Sequence, residues 1–481
     1  MKNIDIYATR IEIYPYDTPD KFDEIVKQCS TTFDRVCHRR YPLGCAYFEL
    51  QRKLVVMRGV NMSLVSNYLE SYPKFFPPVT AAKMKYKYKM MSPPRNPEQV
   101  KAIKFLSCYG EYAQLEKYSQ QSLNAEPSFG KTYCTIAAAI ERGVRTIIIL
   151  HNSTVKTQWV TTLMELTTVR DGRIIDIQDS QTMREMWKQP VNADFILVLH
   201  QTLASYLRTE GYEKTKDWFD HLHCGLKVID EAHLFFGSIV QNDFCTNIEK
   251  NFYLTGTMTR SNPIEVSLFK RYFSNTPAFK TGITLNVIYE FVEYNSFPDL
   301  QHQAYILTQR GPNASKFMEY ATELDTNRTI LKVMVDALNM AKTHEGRILI
   351  ICPKIATCEI IKTTVEEVYP NDMVRTVHSR HSHDDNEESK ESADIIISTI
   401  SSLGTGSDIH GLRSIVILEP YTSEVTANQL PKRLRPLPNG DYSYCYDLVD
   451  IGFDALVAME RKRTRFLKKC CKEVKVRMYE S

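Results

Sequence analysis

The feature that most constrains the fold of this chain is a loop ending in Gly130, Lys131 and Thr132, followed by a helix and a strand. Residues 125–132 fit the phosphate-binding pattern G-x-x-x-x-G-K-[ST], with Ala125 in place of the first glycine. Residues 133–140 form an apolar helical run, and residues 145–150 are the β-branched run of a buried parallel strand. A chance match in a surface turn is the alternative, but this setting favours a phosphate loop. The segment therefore predicts an α/β fold with a nucleotide site.

An acidic motif follows directly after another buried run. Further strands are predicted at 195–199, 226–229 and 252–254, and Asp230-Glu231-Ala232-His233 comes immediately after the second of these. Mg²⁺ and an attacking water must be held at the carboxyl end of such strands, beside the phosphate loop. We therefore predict that Asp230 holds the metal and Glu231 polarises the water. A polar helix start is the alternative for this tetrapeptide.

Composition limits the classes of protein that the chain can represent. The chain has 481 residues, of which 43% are hydrophobic and 24% charged. This length and composition predict a globular protein of roughly three domain-sized units. The formal net charge of +3 means that any basic surface is local. We find no targeting segment and no apolar run approaching the ~18 residues of a membrane span, so no membrane partner is expected. The twelve cysteines include no C-x-x-C pair, which predicts a cytoplasmic or other reducing intracellular location rather than secretion.

The first ninety or so residues predict a small α+β module that ends in a basic segment. In residues 83–90, lysines alternate with Met and Tyr, which predicts a strand with four lysines on one face. Two interpretations fit this pattern equally: a surface for a nucleic-acid backbone, or a solvated strand face above a core. In the second half, strands are predicted at 286–292, 347–351 and 395–399 with a helix at 329–341, and the acidic residues 381–388 are predicted as a solvated loop.

The order of the motifs resembles that of superfamily-two helicases of the DEAH type, especially the DNA-acting UvsW/XPB-like group, which includes poxvirus-type helicases. The similarity extends over roughly residues 93–455, and motifs II and V carry most of its specificity. The similar segments are Ser128–Thr132 for motif I, Gln158–Trp159 after motif Ia, Asp230–His233 for motif II, Thr255–Thr257 for motif III, Arg347–Ile351 for motif IV, Gly404–Ile409 for motif V and Gln429–Arg435 for motif VI.

The resemblance implies two RecA-like, doubly wound parallel-sheet domains plus a small N-terminal α+β accessory domain. We expect an accessory domain at 1–92 that is a candidate for DNA binding, an ATP-binding RecA-like domain at 93–283 and a C-terminal RecA-like domain at 284–481. The residues that it implies fall into three groups. Nucleotide binding is expected from Gln99, Ser128, Phe129, Gly130, Lys131, Thr132, Gly406, Asp408 and Arg435; catalysis from Lys131, Glu231, Gln429 and Arg433; metal binding from Thr132 and Asp230.

Motif VI departs from the family pattern at two positions. Lys432 stands where glycine is usual, and the second arginine comes one residue early, at Arg435. Arg433 and Arg435 are therefore competing candidates for the catalytic arginine.

The resulting hypothesis is an ATP-driven helicase or double-strand translocase that uses ATP and Mg²⁺ and binds single- or double-stranded DNA. An RNA-acting motor is one alternative, because tracking a backbone does not reveal the sugar. A second is a nucleic-acid clamp that binds nucleotide without hydrolysis, and the departures at Ala125 and Lys432 are its support. The sequence predicts no particular protein partner.

Overall fold

The computed structural model describes most of the chain and divides it into two compact units, Met1–Thr281 and Gly282–Ser481. The residues that it describes are 3–14, 23–35, 38–49, 51–60, 74–125, 129–256, 262–281, 285–308, 311–400, 402, 409–422, 426–427, 430–434 and 441–480.

The first unit begins with a small five-stranded sheet. Its elements are β1 (Asn3–Ile6), β2 (Arg10–Tyr14), α1 (Asp23–Gln28), β3 (Cys45–Phe48), β4 (Lys53–Met57) and β5 (Lys74–Phe75). The strand order is β3-β4-β2-β1-β5, with antiparallel pairing throughout except for the parallel pair of β1 and β5. The pairs Ile11 with Val56 and Ile13 with Leu54 place apolar side chains opposite one another, and all four are buried. These residues belong to the same core as one face of the parallel sheet that follows.

The rest of the first unit is a doubly wound α/β domain. Its elements are α2 (Pro97–Ser107), β6 (Gln120–Asn124), α3 (Lys131–Arg142), β7 (Thr146–Leu150), α4 (Ser153–Leu166), β8 (Ile174–Asp176), α5 (Ser180–Met186), β9 (Phe195–Leu199), α6 (His200–Glu210), α7 (Tyr212–His221), β10 (Leu226–Ile229), α8 (Phe236–Cys245), β11 (Lys250–Thr255), α9 (Val266–Tyr272) and β12 (Ala278–Lys280). Short 3₁₀ helices span Gly110–Lys117 and Asp171–Arg173.

The seven strands of this sheet are all parallel, in the order β12-β6-β11-β10-β7-β9-β8. Successive strand residues point to opposite faces, so Ile147 and Ile149 enter one core while Ile148 and Leu150 enter the other. A strand buried on both faces is usually rich in apolar residues, which is why continuous apolar runs such as β9 could be recognised in the sequence.

The second unit repeats this architecture. Its elements are β13 (Leu285–Tyr294), α10 (Leu300–Ile306), β14 (Leu307–Thr308), β15 (Gly311–Pro312), α11 (Ala314–Glu319), α12 (Thr329–Lys342), β16 (Arg347–Cys352), α13 (Ile355–Val368), β17 (Val374–Val377), α14 (His383–Ser392), β18 (Ile395–Thr399), β19 (Leu412–Ile417), β20 (Ser443–Asp450), α15 (Asp454–Leu467) and β21 (Cys471–Met478). The seven-stranded sheet is parallel, in the order β17-β18-β16-β19-β20-β13-β21, and β14 pairs with β15 as a small hairpin.

Two of the predicted elements are wrong. Residues 83–90 are not a regular strand: they form an irregular segment that bends at residues 85 and 86 and has isolated bridges at Lys83 and Met90 only. The acidic run predicted as a loop is instead the start of α14, because Ser382 and Asp385 form a reciprocal capping box at its N-terminus.

The predicted fold class is confirmed: the structure contains two parallel doubly wound sheets and an N-terminal mixed sheet. None of the described helices has both the length and the apolar character needed to cross a bilayer.

Candidate active site

Three neighbouring strands of the first unit bring the predicted motifs to one edge of the sheet. β6, β11 and β10 lie side by side and parallel, so the residues after their carboxyl ends meet at the same edge. The Ala125 N–H donates to the Thr255 carbonyl at 3.0 Å, and the Ala232 N–H donates to the Leu254 carbonyl at 2.9 Å. The phosphate loop, the acidic motif and the Thr255-Gly256 segment are therefore joined through the backbone of β11.

The conformation of the phosphate loop requires glycine at one end but not at the other. Gly130 has a φ of +89° and is the N-cap of α3, an end that no described side chain caps. A Cβ at this position would lie 2.5 Å from the Gln99 Nε2 atom. Ala125, by contrast, is buried and does not adopt a positive φ, so the missing glycine imposes no backbone strain there.

Lys131 is the first residue of α3 and faces the acidic motif. Its Nζ donates to the Ala125 carbonyl at 3.1 Å and lies 3.9 Å from the Glu231 Oε1 atom. Glu231 has a φ of +47°, and its Oε2 atom is buried without a hydrogen bond from any described residue. The backbone of Glu231 is therefore strained, and its carboxylate has an oxygen beside Lys131 to which a water molecule could donate.

Asp230 accepts a hydrogen bond from a tryptophan, Trp159, that was not among the predicted site residues. The Trp159 Nε1–H donates to Asp230 Oδ2 at 3.0 Å, and the Glu231 N–H donates to Asp230 Oδ1 at 2.9 Å. Burial, and then the neighbouring Glu231 charge, raise the pKa of Asp230, while Lys131 and the Trp159 hydrogen bond act in the opposite direction. Both oxygens of the Asp230 carboxylate thus accept a hydrogen bond, while the nearby Glu231 charge disfavours its ionised form.

His233 links the acidic motif to the end of β11. Its side chain is fully buried, with Nδ1 2.9 Å from Thr255 Oγ1 and 3.3 Å from Glu231 Oε2. The same nitrogen therefore lies close to both Thr255 and Glu231, and its hydrogen bond is with Thr255. The sequence placed His233 in the motif but gave no sign of this connection.

Gln99 is fully buried and holds the phosphate loop rather than pointing into a cavity. Its Oε1 accepts the Arg95 N–H at 2.7 Å, and its Nε2 donates to the Phe129 carbonyl at 2.6 Å. The structure thus shows Gln99 as a link between α2 and the loop, and its predicted role in nucleotide binding stays a prediction.

The remaining predicted residues fall into three groups. Thr132 is half-buried at the second position of α3. Arg433 ends a 3₁₀ helix, Pro431–Arg433, in the second unit. Ser128, Gly406, Asp408, Gln429 and Arg435 lie outside the described residues.

The fold and the site together define a nucleotide-binding α/β protein of the phosphate-loop class with RecA-like sheets. Residues 96–269 match the family model "DEAD/DEAH box helicase". Residues 96–269 are therefore similar to DEAD/DEAH box helicases, which agrees with the superfamily-two resemblance predicted from the motifs. No curated protein matches the chain.

Several solved structures are similar to this chain at low sequence identity. T4 UvsW is 13% identical, with a TM-score of 0.38 and coverage of 99% of each chain. An HsdR subunit fragment of a type I restriction enzyme from Vibrio vulnificus YJ016 is 12% identical, with a TM-score of 0.54 over 81% of this chain and 70% of that one. The ATP-dependent type ISP restriction-modification enzyme LlaBIII, bound to DNA, is 14% identical, with a TM-score of 0.54 over 81% of this chain and 32% of that one.

Proposed function

We propose that the chain is an ATP-driven DNA helicase or double-strand translocase whose hydrolytic centre contains Lys131, Asp230 and Glu231. The observation that carries this proposal is the convergence of a lysine, an oriented carboxylate and an unsatisfied glutamate oxygen at the N-terminus of α3. The backbone N–H groups of a helix N-terminus favour phosphate, and the lysine adds a positive charge.

Each residue would have a distinct role. Lys131 would neutralise phosphate charge, and Asp230 with Thr132 would hold Mg²⁺, a cation that usually takes one or two carboxylates plus substrate phosphates. Glu231 would orient and polarise the attacking water, because its Oε2 atom accepts no hydrogen bond from the described residues and is available to a water molecule. The residues present fit ATP and Mg²⁺ on these grounds.

DNA is the proposed substrate because the motif pattern resembles the DNA-acting group, and one structural relative, LlaBIII, is recorded bound to DNA. The test measures phosphate release by the full chain alone, with single-stranded DNA, with duplex DNA and with RNA. DNA stimulation supports the proposal, and stimulation by RNA alone would assign the motor to RNA.

Two variants assign the site. Lys131→Ala should abolish turnover by removing stabilisation of phosphate charge, and Glu231→Gln should retain ATP binding while losing hydrolysis. Turnover near the parent rate in either variant would refute the site assignment. Nucleotide binding by the parent without any turnover would instead favour the non-hydrolysing clamp.

A further inference from the structure

Residues 82–91 form a basic segment, here called the strap, across the amino-terminal ends of strands in the first unit's parallel sheet. The candidate active site lies at the opposite, carboxyl ends of the strands. The Ala82 N–H donates to the His223 carbonyl at 2.8 Å, and the Arg145 N–H donates to the Ala82 carbonyl at 2.8 Å. Further along, the Thr168 N–H donates to the Lys89 carbonyl at 3.0 Å. These partners precede β10, β7 and β8, so the strap lies at the amino-terminal ends of parallel strands.

Four lysines of the strap are exposed to solvent, and no carboxylate of the described residues neutralises their charge. Lys83, Lys85, Lys87 and Lys89 are all exposed, and none of their ammonium groups pairs with a carboxylate of the described residues. Tyr88 instead faces inward and is buried. Four uncompensated cations on a short segment repel one another, so an anionic partner would relieve a cost that the folded chain carries.

The carboxylate of Asp194 contacts the strap, but Arg173 already neutralises its charge. Asp194 accepts from the Arg173 Nη2 and Nε atoms at 2.8 and 3.0 Å, from the Tyr88 hydroxyl at 2.5 Å, and from the Lys85 N–H at 3.1 Å. Burial alone would raise the pKa of Asp194, but the hydrogen bonds from Arg173 and Tyr88 lower it. This carboxylate therefore anchors the strap and does not offset its exposed charge.

Aromatic faces lie among these cations. Tyr86 is 49% exposed, and the Arg173 guanidinium lies 5.9 Å from the centre of its ring. Next to the strap is a cavity of about 440 Å³, lined in part by Ala82, Trp187, Lys188 and His221. Trp187 is 39% exposed, stacks on His221 at 5.1 Å and donates from Nε1 to the Tyr206 hydroxyl at 3.0 Å, so its ring is fixed in place.

We propose that this edge of the first unit binds single-stranded nucleic acid, with phosphates on the four strap lysines and an unpaired base in the Trp187 cavity. A row of cations beside exposed aromatic rings is the combination that single-strand binding uses, because phosphates are neutralised while bases stack. An acidic peptide would explain the lysines but not the base-sized aromatic cavity. The inference rests on the proposed function only in taking nucleic acid as the partner class.

The phosphate contacts are tested by the salt dependence of binding. Labelled oligothymidylate is titrated with the full chain, without nucleotide, at several salt concentrations. Replacing Lys83, Lys85, Lys87 and Lys89 together by Gln should lower the slope of log affinity against log salt by about three, from ~0.7 per phosphate contact. The matched control removes four exposed lysines elsewhere in the unit, at Lys27, Lys104, Lys117 and Lys270. An unchanged slope in the strap variant, or an equal fall in the control, would overturn the proposal.

The base contact is tested at Trp187. Trp187→Leu should weaken oligothymidylate binding about tenfold or more, whereas Trp187→Phe, which keeps an aromatic face but loses the bond to Tyr206, should stay close to the parent. The effect of Trp187→Leu should disappear on an abasic oligonucleotide. A loss that persists on the abasic strand would refute base binding.

The binding assay distinguishes two further outcomes: binding of an acidic protein by the strap, and failure of the chain to hydrolyse ATP. Tighter binding of polyglutamate than of oligothymidylate at equal salt would assign the strap to an acidic protein and overturn the proposal. Because binding is measured without nucleotide, a chain that fails to hydrolyse ATP can still confirm the strap. A functional ATPase with an unchanged salt slope refutes the strap alone.

Discussion

The hydrogen bond from Trp159 to Asp230 provides a quantitative test of the candidate site. Trp159→Phe removes the only donor that reaches Asp230 Oδ2 from a described side chain, at 3.0 Å in a fully buried setting. A hydrogen bond to a charged group contributes about 1.5–3 kcal/mol. The same substitution also removes part of an indole ring, so a control must remove the packing without the bond.

Trp218 offers that control in the same unit. It is fully buried, but its Nε1 atom has no hydrogen-bond partner among the described residues. Trp159→Phe should therefore lower the free energy of unfolding at neutral pH by about 1.5–3 kcal/mol more than Trp218→Phe does. Urea unfolding followed by tryptophan fluorescence reports this unit alone, because Trp159, Trp187 and Trp218 are the three tryptophans of the chain.

The difference should depend on pH with a definite sign. Burial raises the pKa of Asp230, so its charged form opposes folding above the folded pKa, and this penalty disappears as pH falls through that value. Once Asp230 is neutral, the Trp159 bond falls to the ~0.5–1.5 kcal/mol of an uncharged pair. The gap between the two variants should thus shrink on acidification. Equal losses in both variants, or a gap that widens at low pH, would refute the reasoning.

The bond should also matter for metal binding. Without the Trp159 donor, the pKa of Asp230 rises further, and a proton competes more strongly with Mg²⁺. We expect the Mg²⁺ concentration for half-maximal binding of a fluorescent ATP analogue to rise about tenfold, the equivalent of ~1.4 kcal/mol. Trp218→Phe should leave it unchanged, and a shift common to both variants would contradict a specific role for Trp159.

Two further predictions concern the phosphate loop and motif VI. Gly130→Ala should lower stability and nucleotide binding more than Gly143→Ala does at the other end of α3, because both positions have positive φ but only at Gly130 would the Cβ meet the Gln99 amide; thermal unfolding and nucleotide titration of both variants would show it, and equal losses would contradict the clash. Arg433→Ala should retain nucleotide affinity and lose about a thousandfold in turnover; a silent Arg433→Ala with an inactive Arg435→Ala would move the catalytic role to Arg435, and two silent variants would favour the clamp.

About half of the strands in the two parallel sheets could be predicted, because strands buried on both faces are often continuous apolar runs in the sequence. Strands with polar residues, such as β6 (Gln120–Asn124), were not predicted. A run such as 195–199 has apolar residues at every position, as expected for a short strand buried on both faces. Asp230 and Glu231 could be placed for the same reason, since they follow such a run without a gap. Residues fixed by chain connectivity to a strand end are within reach of sequence reasoning.

Contacts between elements far apart in sequence could not be predicted. Trp159 lies on α4 and meets Asp230 because that helix packs against β7, the neighbour of β10 in the sheet, an arrangement that depends on the order of the strands. The strap shows the same limit in another form. The alternation predicted that the four lysines face solvent, but Tyr86 is exposed as well. The hydrogen-bond partners of the strap come from four separate places, around residues 143–145, 166–168, 194 and 223, so no strand forms.

The structure also changes the balance between a hydrolysing motor and a clamp. The clamp gained support from Ala125 on the assumption that the loop needs the positive φ of glycine there. Ala125 does not adopt a positive φ; its N–H donates to Thr255 and its carbonyl accepts from Lys131, so it contributes to the site through its backbone. Backbone groups do not depend on the side chain, and an alanine methyl is accommodated in the core behind the loop. The substitution at Ala125 is therefore compatible with hydrolysis, and the argument for a clamp is reduced to Lys432 in the second unit.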